Sequence, residues 1–482
     1  MQTLPEPMNA CLRRLMGSGL RLCGIGSDSQ GRLAHHRAEW IFASKRNVSA
    51  MISPALGSCA FAVLMLVFGA SLAKHTNAQG LDRFDRDSAL TMLSVTKDDL
   101  KKNYFDPTLH GIDIDTRFKE AEARLKQATT RDQLIITIAQ TMLDFNDSHT
   151  YFVPPSRAAQ IEYGWEMQII GDQAFVTEIK SGSDAEAKGL LRGDLILSVD
   201  GYAPSRDNMW KMYYRYYSLM PSSSIRLVVQ TPGQPQEREI DVAAKITRGG
   251  KVVGWWTGYR GRRNQKDRAQ EFGDDLIIWQ MSSFEYDNEH VDIAMSKASK
   301  FKALILDLRG NGGGYTDALE RLTGHFFDHD VKVADMKGRK EMKPILAKTR
   351  GSSTYKGQLI VLIDSESASA SELFARTIQL EKRGIVIGDR SQGAVMASRH
   401  YDHQTGVGNV LYFGNSVTIA DLIMSDGNSL ERTGVTPDEI LLPTSADLAA
   451  QRDPVLSRAA KIAGVELDPA KAGTLFPKDT RQ

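Results

Sequence analysis

Between residues 88 and 145 the apolar positions recur every three or four residues, as in Leu90, Leu93, Leu100 and Tyr104, and again in Phe118, Ala121 and Leu125. That period predicts amphipathic helices. Asp106-Pro107 breaks the first of them, and a third apolar helix is expected over 133–145. The pattern then changes. Residues 174–179 alternate apolar and polar, as a strand with one buried face does. From residue 274 onward, continuous apolar runs occur at 276–279, 303–306 and 359–363, as in strands buried on both faces. Helical patterns follow the second and third runs, over 316–327 and 371–380. Strands alternating with helices in this way predict an α/β layered core.

Near the amino end, 55–73 is a further apolar run, and no charge occurs between Arg46 and Lys74. Lys45 and Arg46 precede it, and small residues follow it at Ser71-Leu72-Ala73 and Thr76-Asn77-Ala78. A basic flank, an apolar stretch and a small-residue cleavage site predict an export signal, with the mature chain starting near Gln79. The expected compartment is periplasmic or extracytoplasmic. The alternative is an uncleaved membrane anchor at 55–73, since that run is just long enough to span a bilayer.

Composition narrows the function classes. The chain has 60 Lys+Arg against 59 Asp+Glu, so no sequence-wide charge draws it to nucleic acid. Its three cysteines, Cys11, Cys23 and Cys59, all lie in the leader. The body therefore has no disulfide framework, no cysteine nucleophile and no Cys-ligated zinc. No HExxH, EF-hand or clustered His/Asp set appears, so neither metal nor cofactor is expected.

Residues 182–201 contain a Gly-Ser, a short helix, Gly-Leu-x-x-Gly-Asp and an apolar strand ending at Asp200-Gly201. This text resembles a PDZ domain. The resemblance places the carboxylate-binding loop at Tyr163, Gly164 and Trp165, where backbone N–H groups would capture a chain terminus. The aromatic segment Trp210, Tyr213, Tyr214, Tyr216 and Tyr217 reads as helix core and interface, because no basic stripe accompanies it.

Two strand ends carry candidate chemistry. The run 303–306 enters Asp307-Leu308-Arg309-Gly310-Asn311-Gly312-Gly313-Gly314. That glycine-rich turn fails both nucleotide fingerprints, because no Lys-Ser/Thr follows and Tyr315 takes the third glycine position. It remains a close backbone turn with exposed N–H groups, which an oxyanion hole also needs. The run 359–363 enters Asp364-Ser365-Glu366-Ser367-Ala368-Ser369-Ala370-Ser371-Glu372. Read alone, Ser369 with Glu372 is a helix capping box. A serine on a tight strand-to-helix turn also presents its hydroxyl to substrate beside a positive helix end.

Together with Asp147-Ser148-His149-Thr150 and the PDZ-like segment, these motifs resemble the carboxy-terminal processing peptidases, with tricorn protease as a distant relative. The resemblance runs from about residue 88 to 443. It implies a crotonase-like α/β catalytic core, an inserted PDZ-like domain and an amino-terminal helical region. It also implies that Ser369 is the nucleophile and that the N–H groups of Gly313 and Ala370 bind the oxyanion. One departure stands out. Where the family carries its catalytic lysine, this chain has Ala394, and the glutamine expected shortly after is Ser398. The tricorn branch instead uses a Ser-His pair and a distant glutamate. Here that implies His149 as general base, with Glu431 or Ser148 orienting or polarising it.

The expected organisation is a leader over 1–78, a helical region over 79–158, a PDZ-like domain over 159–250, and a peptidase core with a carboxy-terminal tail over 251–482. The expected function is an exported serine endopeptidase acting on peptides or proteins through an acyl-enzyme. Two rivals remain at this level. One is a catalytically degenerate peptide- or ligand-binding protein, and the other is a PDZ scaffold.

Overall fold

The computed structural model describes residues 81–157, 159–248 and 267–476. The apolar run at 55–73, the expected cleavage region, the three cysteines and the expected boundary at residues 250 and 251 lie outside the described residues. Among the described residues no helix is long and apolar enough to cross a membrane.

The three apolar runs form the centre of a six-stranded sheet. Its order is Glu439–Ile440, Ile385–Gly388, Gln358–Ile363, Ala303–Asp307, Leu276–Gln280, Arg268–Phe272. All neighbours are parallel except the last pair. Each run reads as continuously apolar because both faces are covered. Ile277, Leu304, Leu306, Leu359 and Val361 pack with Leu319, Leu322 and Phe374 of the helices Thr316–Gly324 and Ala370–Leu380. Leu276, Ile278, Ile305, Ile360 and Leu362 pack on Val455, Leu456 and Ala459 of the helix Pro454–Ile462. A fully buried side chain of this size contributes about 1.5–3 kcal/mol, so both layers are needed. The segment after residue 443, expected as a tail, therefore supplies the second face of the core.

A second sheet ties the amino-terminal region to the core. The helices Arg83–Asn103, Ile114–Gln127 and Arg131–Leu143 are capped by Asp82, Asp113 and Thr130. They share one apolar core, which also takes in Phe413 and Val417. The strand that follows, Tyr151–Val153, pairs antiparallel with the long strand Leu411–Met424. That strand also pairs with Met396–Thr405 and Val331–Gly338.

Between these regions lies a five-stranded antiparallel sheet over 165–243, with its own core. The aromatic segment forms the helix Met209–Tyr214, continued by a π-helical turn at Arg215–Leu219. Tyr213 and Tyr216 enter the core of this sheet, whereas Tyr214 enters the amino-terminal core. Polar contacts dock the sheet on the strand ends of the six-stranded layer. Arg206 donates twice to Asp389 at 2.7 Å, and Gln168 donates to Asp364 at 2.7 Å.

Candidate active site

The two parallel strands that carry sequence motifs, Ala303–Asp307 and Gln358–Ile363, end at the same edge of the sheet, where ligands bind in open α/β layers. At the end of Gln358–Ile363 the chain turns into the helix Ala370–Leu380 at Ser369, whose backbone has φ +56° and ψ −118°. An ordinary N-cap residue is extended. A non-glycine residue held at positive φ costs about 1–3 kcal/mol and clusters at functional sites. The neighbouring serines do something different. Ser367 and Ser371 are fully buried, and their hydroxyls donate to the carbonyls of Leu308 and Asn311 at 2.8 and 2.9 Å. Those two staple the serine loop to the glycine-rich loop. Ser369 is the partly exposed member and lines a cavity of about 220 Å³.

Glu372 contributes its half of the capping box and more. One carboxylate oxygen accepts from the N–H groups of Ser369 at 2.9 Å and Ala394 at 3.0 Å. The other accepts from Gly393 N–H at 2.7 Å and Ser391 Oγ at 2.6 Å. Ser369 N–H also donates to the Ala394 carbonyl at 3.0 Å. Ala394, at the position where the resemblance implies a lysine, is thus fixed against the Ser369 backbone and offers only a methyl group. Burial pushes the Glu372 carboxyl up to about 7, against the pull of its four donors. Raised in the folded state, it stabilises the fold most below its ordinary value of 4.5 and loses that contribution as pH rises through about 7. Thermal melts across that window should show Glu372→Gln lacking this part of the pH slope. An identical slope in the two proteins would count against it.

The glycine-rich turn lies against Ser369. A Cβ at Gly313, where φ is +90°, would sit 2.6 Å from Ser369 Cβ and 2.9 Å from the Ala370 nitrogen. Only glycine fits there. The Gly313 N–H donates to Asn311 Oδ1 at 2.9 Å, while Asn311 Nδ2 donates to the Met281 carbonyl at 2.9 Å. In this conformation the expected Gly313 donor is therefore held by the buried Asn311 side chain, and an oxyanion would have to share it. Ala370 N–H stands at the first position of an 11-residue helix, whose positive end faces the cavity. Gly313→Ala should lower turnover by about 10²-fold or more, the scale of losing an oxyanion donor. Circular dichroism checks that the fold survives, and near-normal turnover would refute this role for the turn.

The Asp147-Ser148-His149 loop reaches the same cavity from the other side. Asp147 is buried and accepts from Tyr104 OH at 2.9 Å, Thr418 Oγ1 at 2.7 Å and the N–H groups of His149 and Thr150 at 2.9 and 2.7 Å. Burial of the ring, and then the Asp147 charge, push the Tyr104 phenol well above its ordinary value. Ser148 Oγ lies 2.7 Å from His149 Nδ1 and donates to Glu431 Oε2 at 2.8 Å. Glu431 also accepts from the N–H groups of Ser148 and Val395, both at 2.9 Å. Burial raises its carboxyl above the ordinary value, opposed by these donors. With its proton given to Glu431, the Ser148 hydroxyl accepts from His149 Nδ1–H. That tautomer makes Nε2 the unprotonated, basic nitrogen of the ring.

Ser369, His149, Ser148, Glu431 and Gly313 thus line one cavity, with Ala370 behind Ser369. Tyr163, Gly164 and Trp165 do not reach it. Tyr163 is buried and its hydroxyl donates to the Ser222 carbonyl at 3.0 Å. Gly164 packs so closely on Ser183 that a Cβ there would lie 2.3 Å from the Ser183 Cβ. Beside Trp165 and Met167, Tyr213, Tyr216 and Tyr217 leave a void of only about 10 Å³. Tyr213 OH also donates to the Met167 carbonyl at 2.8 Å, on the strand edge a bound peptide would use. The sequence reading missed Asn311 and the four-donor cradle of Glu372. Asn311 stands inside the glycine-rich motif, but its role depends on Met281, which no local pattern marks.

Comparison with known proteins agrees with this architecture. Residues 276–441 match the model of peptidase family S41. A chloroplastic C-terminal processing peptidase of Tetradesmus obliquus is 26% identical over 364 residues, covering 70% of this chain and 74% of that protein. A tail-specific protease of Haemophilus influenzae is 26% identical over 351 residues, covering 67% of this chain but 47% of its own length. This chain therefore spans about half of that relative. The crystal structure of mature CPAF superposes with a TM-score of 0.57 at 15% identity, covering 76% of this chain and 94% of that one, a likeness of fold. By these matches, residues 276–441 form a peptidase family S41 region, the chain is similar over about two thirds of its length to carboxy-terminal processing peptidases, and it is a serine-type peptidase.

Proposed function

We propose that the chain is an exported serine endopeptidase that hydrolyses peptide bonds through an acyl-enzyme, using a histidine in place of the lysine its family carries. Ser369 Oγ attacks the scissile carbonyl and His149 Nε2 takes its proton. The tetrahedral oxyanion is held by Ala370 N–H and the glycine-rich turn. His149 then protonates the leaving amine, and water repeats the sequence to release the acid. The observation that carries this reading is the Ser148 hydroxyl bridging His149 Nδ1 and Glu431 at 2.7 and 2.8 Å, on the wall of the cavity that Ser369 lines. Ala394 leaves no base at the lysine position, and the bridge supplies one elsewhere.

The core is crotonase-like in this reading, and the antiparallel sheet over 165–243 is its PDZ-like insert. Labelling of the full chain by a fluorophosphonate, mapped by mass spectrometry to Ser369, tests the site. An unlabelled Ser369 in a folded protein would leave the site without its nucleophile. Export is tested separately, by amino-terminal sequencing of the mature protein, which should begin near Gln79. A mature protein retaining Met1 would refute cleavage there.

A further inference from the structure

Besides Arg206, which Asp389 holds, the cavity is lined by two cations that the hydrolytic steps do not use. Lys211 lies on the helix Met209–Tyr214 of the antiparallel sheet region, and Arg432 follows Glu431 on the core. Both line the cavity that Ser369 and His149 share. Lys211 is only partly exposed, with its ammonium 5.7 Å from the Trp210 ring, and forms no ion pair among the described residues. Burial, and then the nearby Arg432 charge, hold its ammonium below the usual lysine range, with Asp207 opposing.

Arg432 is placed there by its backbone. Its φ is +65°, and its N–H donates to the Gly393 carbonyl at 2.7 Å. A Cβ on Gly393 would lie 2.8 Å from the Arg432 carbonyl carbon, so the two segments meet with no space between them. The guanidinium donates to the Asn146 carbonyl, a neutral partner. Asp207 and Glu285 add carboxylates to this wall, while two of its other charges are already matched. Arg206 is held by Asp389, and Glu431 by Ser148 and Val395. Lys211 is partly desolvated while Arg432 beside it is exposed; like charges placed together in this way raise the energy of the empty site, and an incoming anion relieves it.

We propose that Lys211 and Arg432 form an anion subsite of the catalytic cavity that takes a carboxylate of the peptide substrate close to the scissile bond. The inference rests on the peptidase reading above and names its substrate preference. The carboxylate has two possible sources, the free end of a chain or an Asp or Glu side chain. Lys211 is assigned to substrate rather than to proton transfer because His149 already has a fixed tautomer and an orienting carboxylate.

The test uses a series of internally quenched peptides of one sequence, ending in a free acid or an amide, and carrying Glu or Gln at each position flanking the cleaved bond. The readout is the ratio of kcat/KM between each charged peptide and its neutral partner. In the unaltered chain at least one ratio should exceed about tenfold, the scale of one charge-assisted contact. Lys211→Met should bring that ratio toward one, Lys211→Arg should keep it, and Lys211→Glu should favour a lysine-bearing peptide instead. Loss with the amide assigns the terminal carboxylate, and loss with Gln assigns the side chain.

Fluorescence anisotropy of the same peptides on the Ser369→Ala chain reads the subsite without turnover. Charge discrimination there, with no hydrolysis by the unaltered chain, would sink the peptidase reading and keep the subsite. Hydrolysis with equal rates for charged and neutral peptides, or a ratio unmoved by Lys211→Met, would overturn the subsite alone. A Lys211→Arg chain that discriminates by charge in neither assay would overturn it as well.

Discussion

Ser369→Ala is expected to abolish peptide hydrolysis, with kcat falling on the order of 10⁶-fold, the loss seen when a serine-protease nucleophile is removed. The fold should survive. The strained φ of +56° is imposed by the surrounding bonds, since the Ser369 N–H is held by Glu372 and Ala394 whatever the side chain. Helix capping predicts a different result, a loss of about 1 kcal/mol in stability with turnover intact. Ser367→Ala and Ser371→Ala separate the two, because their hydroxyls tie the serine loop to the Leu308 and Asn311 carbonyls and do not face the cavity. Those variants should melt earlier and retain activity. A dead Ser367→Ala or Ser371→Ala beside an active Ser369→Ala would mean that the nucleophile has been misplaced.

The second large effect concerns the base. His149→Gln should lower kcat by about 10²–10⁴-fold, the usual contribution of a positioned general base. Ser148→Ala removes the acceptor of Nδ1–H and leaves Glu431 with two backbone donors, those of Ser148 and Val395. Its loss should fall below that of His149→Gln, because the base remains and only its tautomer is released. Glu431→Gln should also be the milder change. Its carboxylate orients Ser148 and does not touch substrate in this scheme. Steady-state kinetics on an unfolded protein substrate, with fluorophosphonate labelling of each variant, checks the order. Full activity in His149→Gln would send the search for a base elsewhere.

How much of this could be read from the chain depended on how local each signal is. The runs at 276–279, 303–306 and 359–363 were legible as strands because helices cover both of their faces, which removes every polar position. The helices after them were legible within a few residues for the same reason. The hairpin Met396–Thr405 with Leu411–Met424 was not foreseen. Its first strand interleaves His400, Asp402 and His403 with apolar residues, and its stability comes from partners distant in the sequence. The helix Pro454–Ile462 was read as tail because its apolar face has meaning only against Ile360 and Leu362.

The site shows the same division. The text around Ser369 could not separate a cap from a nucleophile, since Glu372 makes its bond to the Ser369 N–H under either reading. The backbone angle and the commitments of Ser367 and Ser371 separate them. The candidate histidine and glutamate were readable by resemblance, but the order in which Ser148 joins them is a contact between residues 283 positions apart. Lys211 was hidden inside an aromatic segment that reads as core.

That separation along the chain has a consequence for biosynthesis. The histidine loop is anchored by Tyr151–Val153 on the strand Leu411–Met424, and Ser148 waits for Glu431. A ribosome therefore releases Ser369 well before the residues that complete the site. During translation the growing polypeptide has a serine but no assembled relay to activate it. Closing contacts across so many residues is also slow. On the proposed mechanism, the newly made chain cannot cut itself or its neighbours until its last third has been synthesised and has folded back onto its first.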